Sequence, residues 1–167
     1  MLHAKRYRGL KRSSPILGLF LMSLAGLAQA HMGYPGTRTE VTHYPYPVLL
    51  ARLKMAVKAH HMVVVAQASA SHGAAQRGIK IPGNAVVMVF RNDFAVTMLK
   101  DSLAAGIAAP LRIYVTANSH GTADITYRTP SAVFAPYHNR QLNALAQKLD
   151  PIFAGIVQSG VITESGV

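Results

Sequence analysis

The chain's densest group of chemistry-bearing side chains is Arg91-Asn92-Asp93, which directly follows the apolar run Ala85–Phe90. A guanidinium, an amide and a carboxylate on three successive residues offer five donors, a mixed donor and acceptor, and an acceptor-only group. At the end of a core strand that set suits a small polar or anionic ligand. Acid–base catalysis finds less support. The six acids, Glu40, Asp93, Asp101, Asp124, Asp150 and Glu164, form no recognisable pair, and the chain carries no G-x-S-x-G elbow, no H-E-x-x-H helix and no glycine-rich phosphate loop. Ser71, His72 and Asp93 are the nearest thing to a nucleophile, a base and its orienter, but adjacent residues rarely aim a base at a nucleophile. The chain reads as a binder more readily than as an enzyme.

The elements that position these residues follow from periodicity. Thr37–His43 alternates as a strand, half buried at most, and Pro47 suits the first turn of a helix that runs to about His60. Leu49, Leu50, Leu53, Ala56, Val57 and His60 share one stripe of it, with Arg52, Lys54 and Lys58 on the solvent side. His60 and His61 point about 100° apart on a helix and so do not chelate one metal from its face. Met62–Ala68 is a second strand. Ser71 as N-cap and Gly78 as stop bracket a short helix. Ala85–Asp93 follows as the central strand, its unbroken apolar run predicting burial on both faces. Asp93–Ala105 places Phe94, Met98, Leu99 and Leu103 on one helical face. Leu111–Ala117 and Thr122–Thr129 make a hairpin around Asn118-Ser119-His120-Gly121, with His120 in solvent, and Pro130 closes it. Asn139–Leu149 is amphipathic, and Asp150-Pro151 reads as the N-cap and first position of a separate final helix, Ile152–Val157. The expected fold is α+β, ordered β-α-β-α-β-α-β-β-α. It has a mixed or antiparallel sheet of about five strands and helices mainly on one face.

Composition sets the compartment. Met1–Ser14 carries five cations and no acid, Pro15–Leu27 is almost wholly apolar, and Ala28-Gln29-Ala30 fits the small-x-small cleavage rule. Residues 1–30 therefore read as a secretory signal peptide cut between Ala30 and His31, and the product as periplasmic or secreted. No second apolar stretch long enough to span a membrane follows. Of the 17 Lys and Arg, the leader takes five, which leaves 12 against all six acids and a charge of about +6 rather than +11. That excess, outside the cytoplasm, suits a small anion or an anionic surface better than nucleic acid. Cysteine is absent, which excludes disulfides, thiolate metal sites, C-x-x-C-H haem attachment and a lipidated cysteine. Cleavage would give His31 an α-amine beside its imidazole. With a partner such as His43 this is a nitrogen set that favours Cu(II), so copper is the one cofactor the sequence raises.

Four fragments in fixed order then carry a resemblance. Ser71-His72-Gly73-Ala74-Ala75 matches a D-H-x-x-x-A step with serine for the acid, and Val89-Phe90-Arg91-Asn92-Asp93 matches a strand end in G-N-P with Arg91 and Asp93 at the outer positions. Ala109-Pro110-Leu111-Arg112 keeps three residues of L-P-L-R, and Tyr127-Arg128-Thr129-Pro130 keeps a Y-x-x-P closure. From about Thr39 to Tyr137 the chain resembles the domain of unknown function 302 family. The resemblance implies a small α+β domain and a homodimer, and it implies no reaction. On that pattern His72, Asn92, Arg112 and Tyr127 lie at or just beyond strand ends. An imidazole, an amide, a guanidinium and a phenol there would converge on a carboxylate or similar anion, with Arg91 adding positive potential. The domain is expected over 39–158, with a lead-in over 31–38 and a tail over 159–167. The resulting reading is an exported, non-catalytic binder of a small polar or anionic ligand, dimeric by resemblance. A metal-handling protein using His31 and His43, and an enzyme around His72, are the alternatives.

Overall fold

The computed structural model describes residues 34–162; the expected leader and His31 lie outside the described residues. In chain order the elements are β1 (Thr37–Val41), α1 (Tyr46–Ala59), β2 (Val63–Ala68), α2 (Ala70–Ala75), β3 (Asn84–Phe90) and α3 (Asn92–Asp101). They continue with β4 (Leu111–Ala117), β5 (Ala123–Arg128), α4 (Pro130–Phe134) and α5 (Arg140–Val161), with 3₁₀ turns at Leu103–Ala108 and Ala135–Tyr137. The strands form one sheet in the order β1-β5-β4-β3-β2, and every neighbouring pair is antiparallel. The α+β architecture and the strand count agree with the sequence, and of the two sheet types it allowed, the antiparallel one is found.

Period-two alternation decides the burial. Ala85, Val87 and Val89 of β3, Leu111, Ile113 and Val115 of β4, and Ala123, Ile125 and Tyr127 of β5 all point to one face and are buried. Against them pack Leu49, Leu53 and Val57 of α1 and Leu142, Phe153 and Ile156 of α5. The expectation that β3 is buried on both sides is corrected: Val86, Met88 and Phe90 are only partly covered. The opposite sheet face, with Arg112 and Tyr114 of β4 and Val63 of β2, faces solvent. An antiparallel sheet tolerates one wet face, which is why an unbroken apolar run alone did not settle the matter. The outer strand β2 carries a bulge, where the register with β3 shifts between Val64 and Ala66.

Three local expectations are also revised. The cap of α2 is Ser69, whose hydroxyl accepts from the His72 amide, not Ser71. The expected helix over Asp93–Ala105 stops at Asp101, and after an extended Ser102 a 3₁₀ turn follows in which Leu103 points outward; within α3 itself Met98 is buried and Leu99, about 100° further round, is exposed. Asp150-Pro151 does not start a new helix. α5 runs through Pro151, because the apolar stripe Leu142, Leu145, Leu149, Phe153 and Ile156 continues unbroken across it. Burial of that stripe outweighs the roughly 3 kcal/mol that an interior proline costs. Asp150 instead accepts from the Ser131 amide at 2.9 Å and from the Ser131 hydroxyl, joining α4 to α5.

Candidate functional site

The two ends of β3 carry the expected site residues, and they are different chemical places. At the Asn84 end, side chains fasten α2 to the strand. The Ser71 hydroxyl accepts from the Asn84 amide at 3.1 Å, and Asn84 Oδ1 accepts from the Ala70 amide at 3.0 Å. This places His72 at the rim of a polar cleft of about 470 Å³ lined by Tyr46, Leu50, Gln67, Ser69, Ser71 and His72. Gln67 enters it from an inward register position opposite Val87, and the exposed imidazole of His72 has the Gln76 amide nitrogen 3.3 Å from its Nε2. Tyr46 forms a wall because residue 83 is glycine: a Cβ there would come 2.5 Å from the ring carbon Cδ1. Ser69 and Ser71 are engaged in local hydrogen bonds. Among the described residues the Tyr46 hydroxyl and the Gln67 amide have no such partner, so they remain free to meet a ligand.

At the other end, about 20 Å away along seven strand residues, Arg91 donates to Asp93 from Nε at 2.7 Å and from Nη2 at 3.0 Å. Its guanidinium lies 3.8 Å from the centre of the Phe94 ring. The hydrogen bonds from Arg91 hold the Asp93 carboxyl below its usual range, against a slight opposing effect of burial. Asn92 is exposed at the start of α3 and makes no capping bond. Behind Arg91 lies a narrow apolar crevice of about 30 Å³ among Met62, Val89, Phe94, Met98, Pro110 and Leu149.

The remaining two expected residues lie on the neighbouring strands, β4 and β5. Arg112 pairs with Met88 on the solvent-facing side of the sheet. Tyr127 pairs with Ile113 on the opposite, core-facing side and is 5 % exposed. Burial pushes the Tyr127 hydroxyl above its usual range; Arg38 opposes the shift while Glu40 and Asp150 reinforce it. His72, Asn92, Arg112 and Tyr127 are thus spread over two strand ends and two faces, and only Arg91 and Asn92 are neighbours. Among the described residues no group of three or more His, Asp or Glu side chains is arranged to hold a metal. His43 is exposed just beyond β1, and its expected partner His31 lies outside the described residues. Sequence reasoning missed Tyr46 and Gln67. Gln67 had a readable signal, as the one polar residue in the strand MVVVAQA.

Comparison with known proteins agrees with this architecture. A crystal structure described as an uncharacterized conserved protein DUF302 from Bacillus stearothermophilus superposes with a TM-score of 0.68 at 17 % identity, covering 75 % of this chain and 98 % of that one. At that identity the likeness speaks for the fold. Among curated proteins none matches. The model of the family described as "Domain of unknown function DUF302" matches residues 37–159, the whole sheet and nearly all of α5, and the chain belongs to that family.

Proposed function

We propose that this protein is an exported, non-catalytic binding protein that takes a small polar ligand in the cleft beneath His72. The observation that carries the reading is the lining of that cleft. A phenol, an amide, two hydroxyls and one imidazole converge on about 470 Å³, with Leu50 as the apolar contribution. Such a set fixes a hydroxylated or carbonyl-bearing molecule by hydrogen bonds. When the imidazole is protonated it adds a charge-assisted bond to an anion. The test is a thermal-shift screen of small hydroxylated and carboxylated metabolites against the protein and its Gln67→Ala and His72→Ala variants. A ligand that stabilises the parent should lose that effect in both variants while their unliganded melting temperatures stay put. Undiminished stabilisation in both would sink the reading.

A second copy of the chain is the proposed partner for the solvent-facing side of the sheet. The outward row Val86, Met88 and Phe90, flanked by Val63 and Ala66 of β2, is apolar where a permanently wet face would alternate with polar residues. Arg112 and Asp124 lie towards opposite ends of this face, so a two-fold axis across the strands brings the arginine of each copy towards the aspartate of the other. Sedimentation analysis should find a dimer that Met88→Lys converts to monomer. A parent protein that stays monomeric at high micromolar concentration would refute it.

A further inference from the structure

We infer that the crevice at the Phe90 end of β3 is a second, independent binding site, selective for short aliphatic carboxylates. Apart from Arg91, every side chain that lines it is apolar. Arg91 stands at the rim, held flat by the Phe94 ring 3.8 Å away. Its Nε and Nη2 are committed to Asp93, whereas Nη1 makes no hydrogen bond among the described residues. The rim therefore offers unused charged donors beside an apolar slot, the complement of a carboxylate carried on hydrocarbon. Size narrows the class. A cavity of about 150 Å³ takes up the six carbons of benzene, roughly 25 Å³ for each, so the crevice's volume of about 30 Å³ holds one methyl group before its wall moves. An acid of four to six carbons places its terminal methyl inside and its carboxylate at Arg91, and deeper entry opens the wall. Met62 and Met98 supply the adaptable wall that such an entry requires, since unbranched thioether side chains re-pack at low cost. Each further buried methylene should tighten binding by roughly fourfold, and the gain should stop once the slot is full. Asp93 competes with the ligand for the guanidinium, so it acts as a brake on affinity.

The site lies at the opposite end of β3 from His72 and does not depend on the polar cleft. The experiment uses protein labelled at the methionine methyl groups with carbon-13, titrated with butyrate, hexanoate and hexan-1-ol. Hexanoate should shift the Met62 and Met98 signals saturably, more tightly than butyrate, and leave Met55 on α1 and Met88 on the open sheet face unmoved. Arg91→Met should weaken hexanoate at least tenfold and leave hexan-1-ol unaffected, while Asp93→Asn should tighten hexanoate several-fold. Shifts confined to Met55 or Met88, equal affinity for hexanoate and hexan-1-ol, or no saturable shift at Met62 and Met98 would each overturn the inference. If Arg91→Met fails to fold, Asp93→Asn decides: unchanged or weaker hexanoate binding there counts against it.

Discussion

β3 is fastened by hydrogen bonds at one end and by apolar packing at the other, and the two fastenings leave opposite kinds of space. At Asn84, Ser71 and the Ala70 amide consume the strand's polar groups in a fixed pattern, and the donors left over, on Tyr46, Gln67 and His72, surround a wide wet cleft. At Phe90 the closure is Met62, Met98, Phe134 and Leu149, which fill nearly all of the volume and leave only a narrow dry crevice with one ion pair at its rim. Hydrogen bonds are directional, so a polar closure fixes geometry without filling volume. Dispersion contacts fill volume without fixing donors. One strand thereby borders two chemically different openings.

The comparison breaks hardest at the apolar end. Leu149→Ala should cost about 2–5 kcal/mol in chemical denaturation, because Leu149 is 4 % exposed and its removal enlarges an existing void. A loss below about 1 kcal/mol would mean that this end is looser than its packing indicates. The polar end should yield less. Asn84→Ala removes the acceptor of the exposed Ala70 amide and should cost about 0.5–1.5 kcal/mol, read as early hydrogen exchange across residues 70–75 ahead of global unfolding. Uniform loss of protection throughout the sheet would show instead that α2 is no separate unit.

The smallest effect is also the most discriminating. The Asp93 carboxyl titrates below its usual 3.8 in the folded protein, so the stability it contributes is present above that pH and is lost as pH falls through the folded value. The deficit of Asp93→Asn should therefore be constant near neutrality, shrink as pH falls through the lowered folded value, and vanish once the carboxyl is protonated in both states. The Asn84→Ala deficit carries no such step, since neither Ser71 nor Asn84 ionises. A pH-independent Asp93→Asn deficit would show that the ion pair with Arg91 does not persist in solution.

Much of this molecule was legible in its residues, for reasons that also explain the gaps. Strand and helix order follows from short-range periodicity, which is why β4, β5 and their turn lie almost where the alternation of Leu111–Ala117 and the Asn-Ser-His-Gly step put them. Pro151 misled because a proline's local cost is visible in sequence, whereas the burial of Leu149, Phe153 and Ile156 against α1 and the sheet that overrides it is not. The outward turn of Leu103 has the same origin, since the switch to a 3₁₀ turn changes the angular period by which its face was assigned. The site residues were found as types but not as a place. His72 and Asn92 sit at opposite ends of one strand, and Arg112 and Tyr127 on opposite faces of the sheet. Which end and which face a residue occupies depends on register, a long-range quantity.

The bulge in β2 has a consequence of its own. This outermost strand reads Val63-Val64-Val65-Ala66, a short, uncharged, β-branched stretch with an unpaired backbone edge, the kind of segment that templates the addition of further strands. The register shift between Val64 and Ala66 leaves Val65 without a partner on β3 and kinks the edge there. A straight ribbon from another molecule therefore meets a broken ladder. Deleting Val65 would restore the ladder and remove that protection, turning a self-limiting sheet into one that grows.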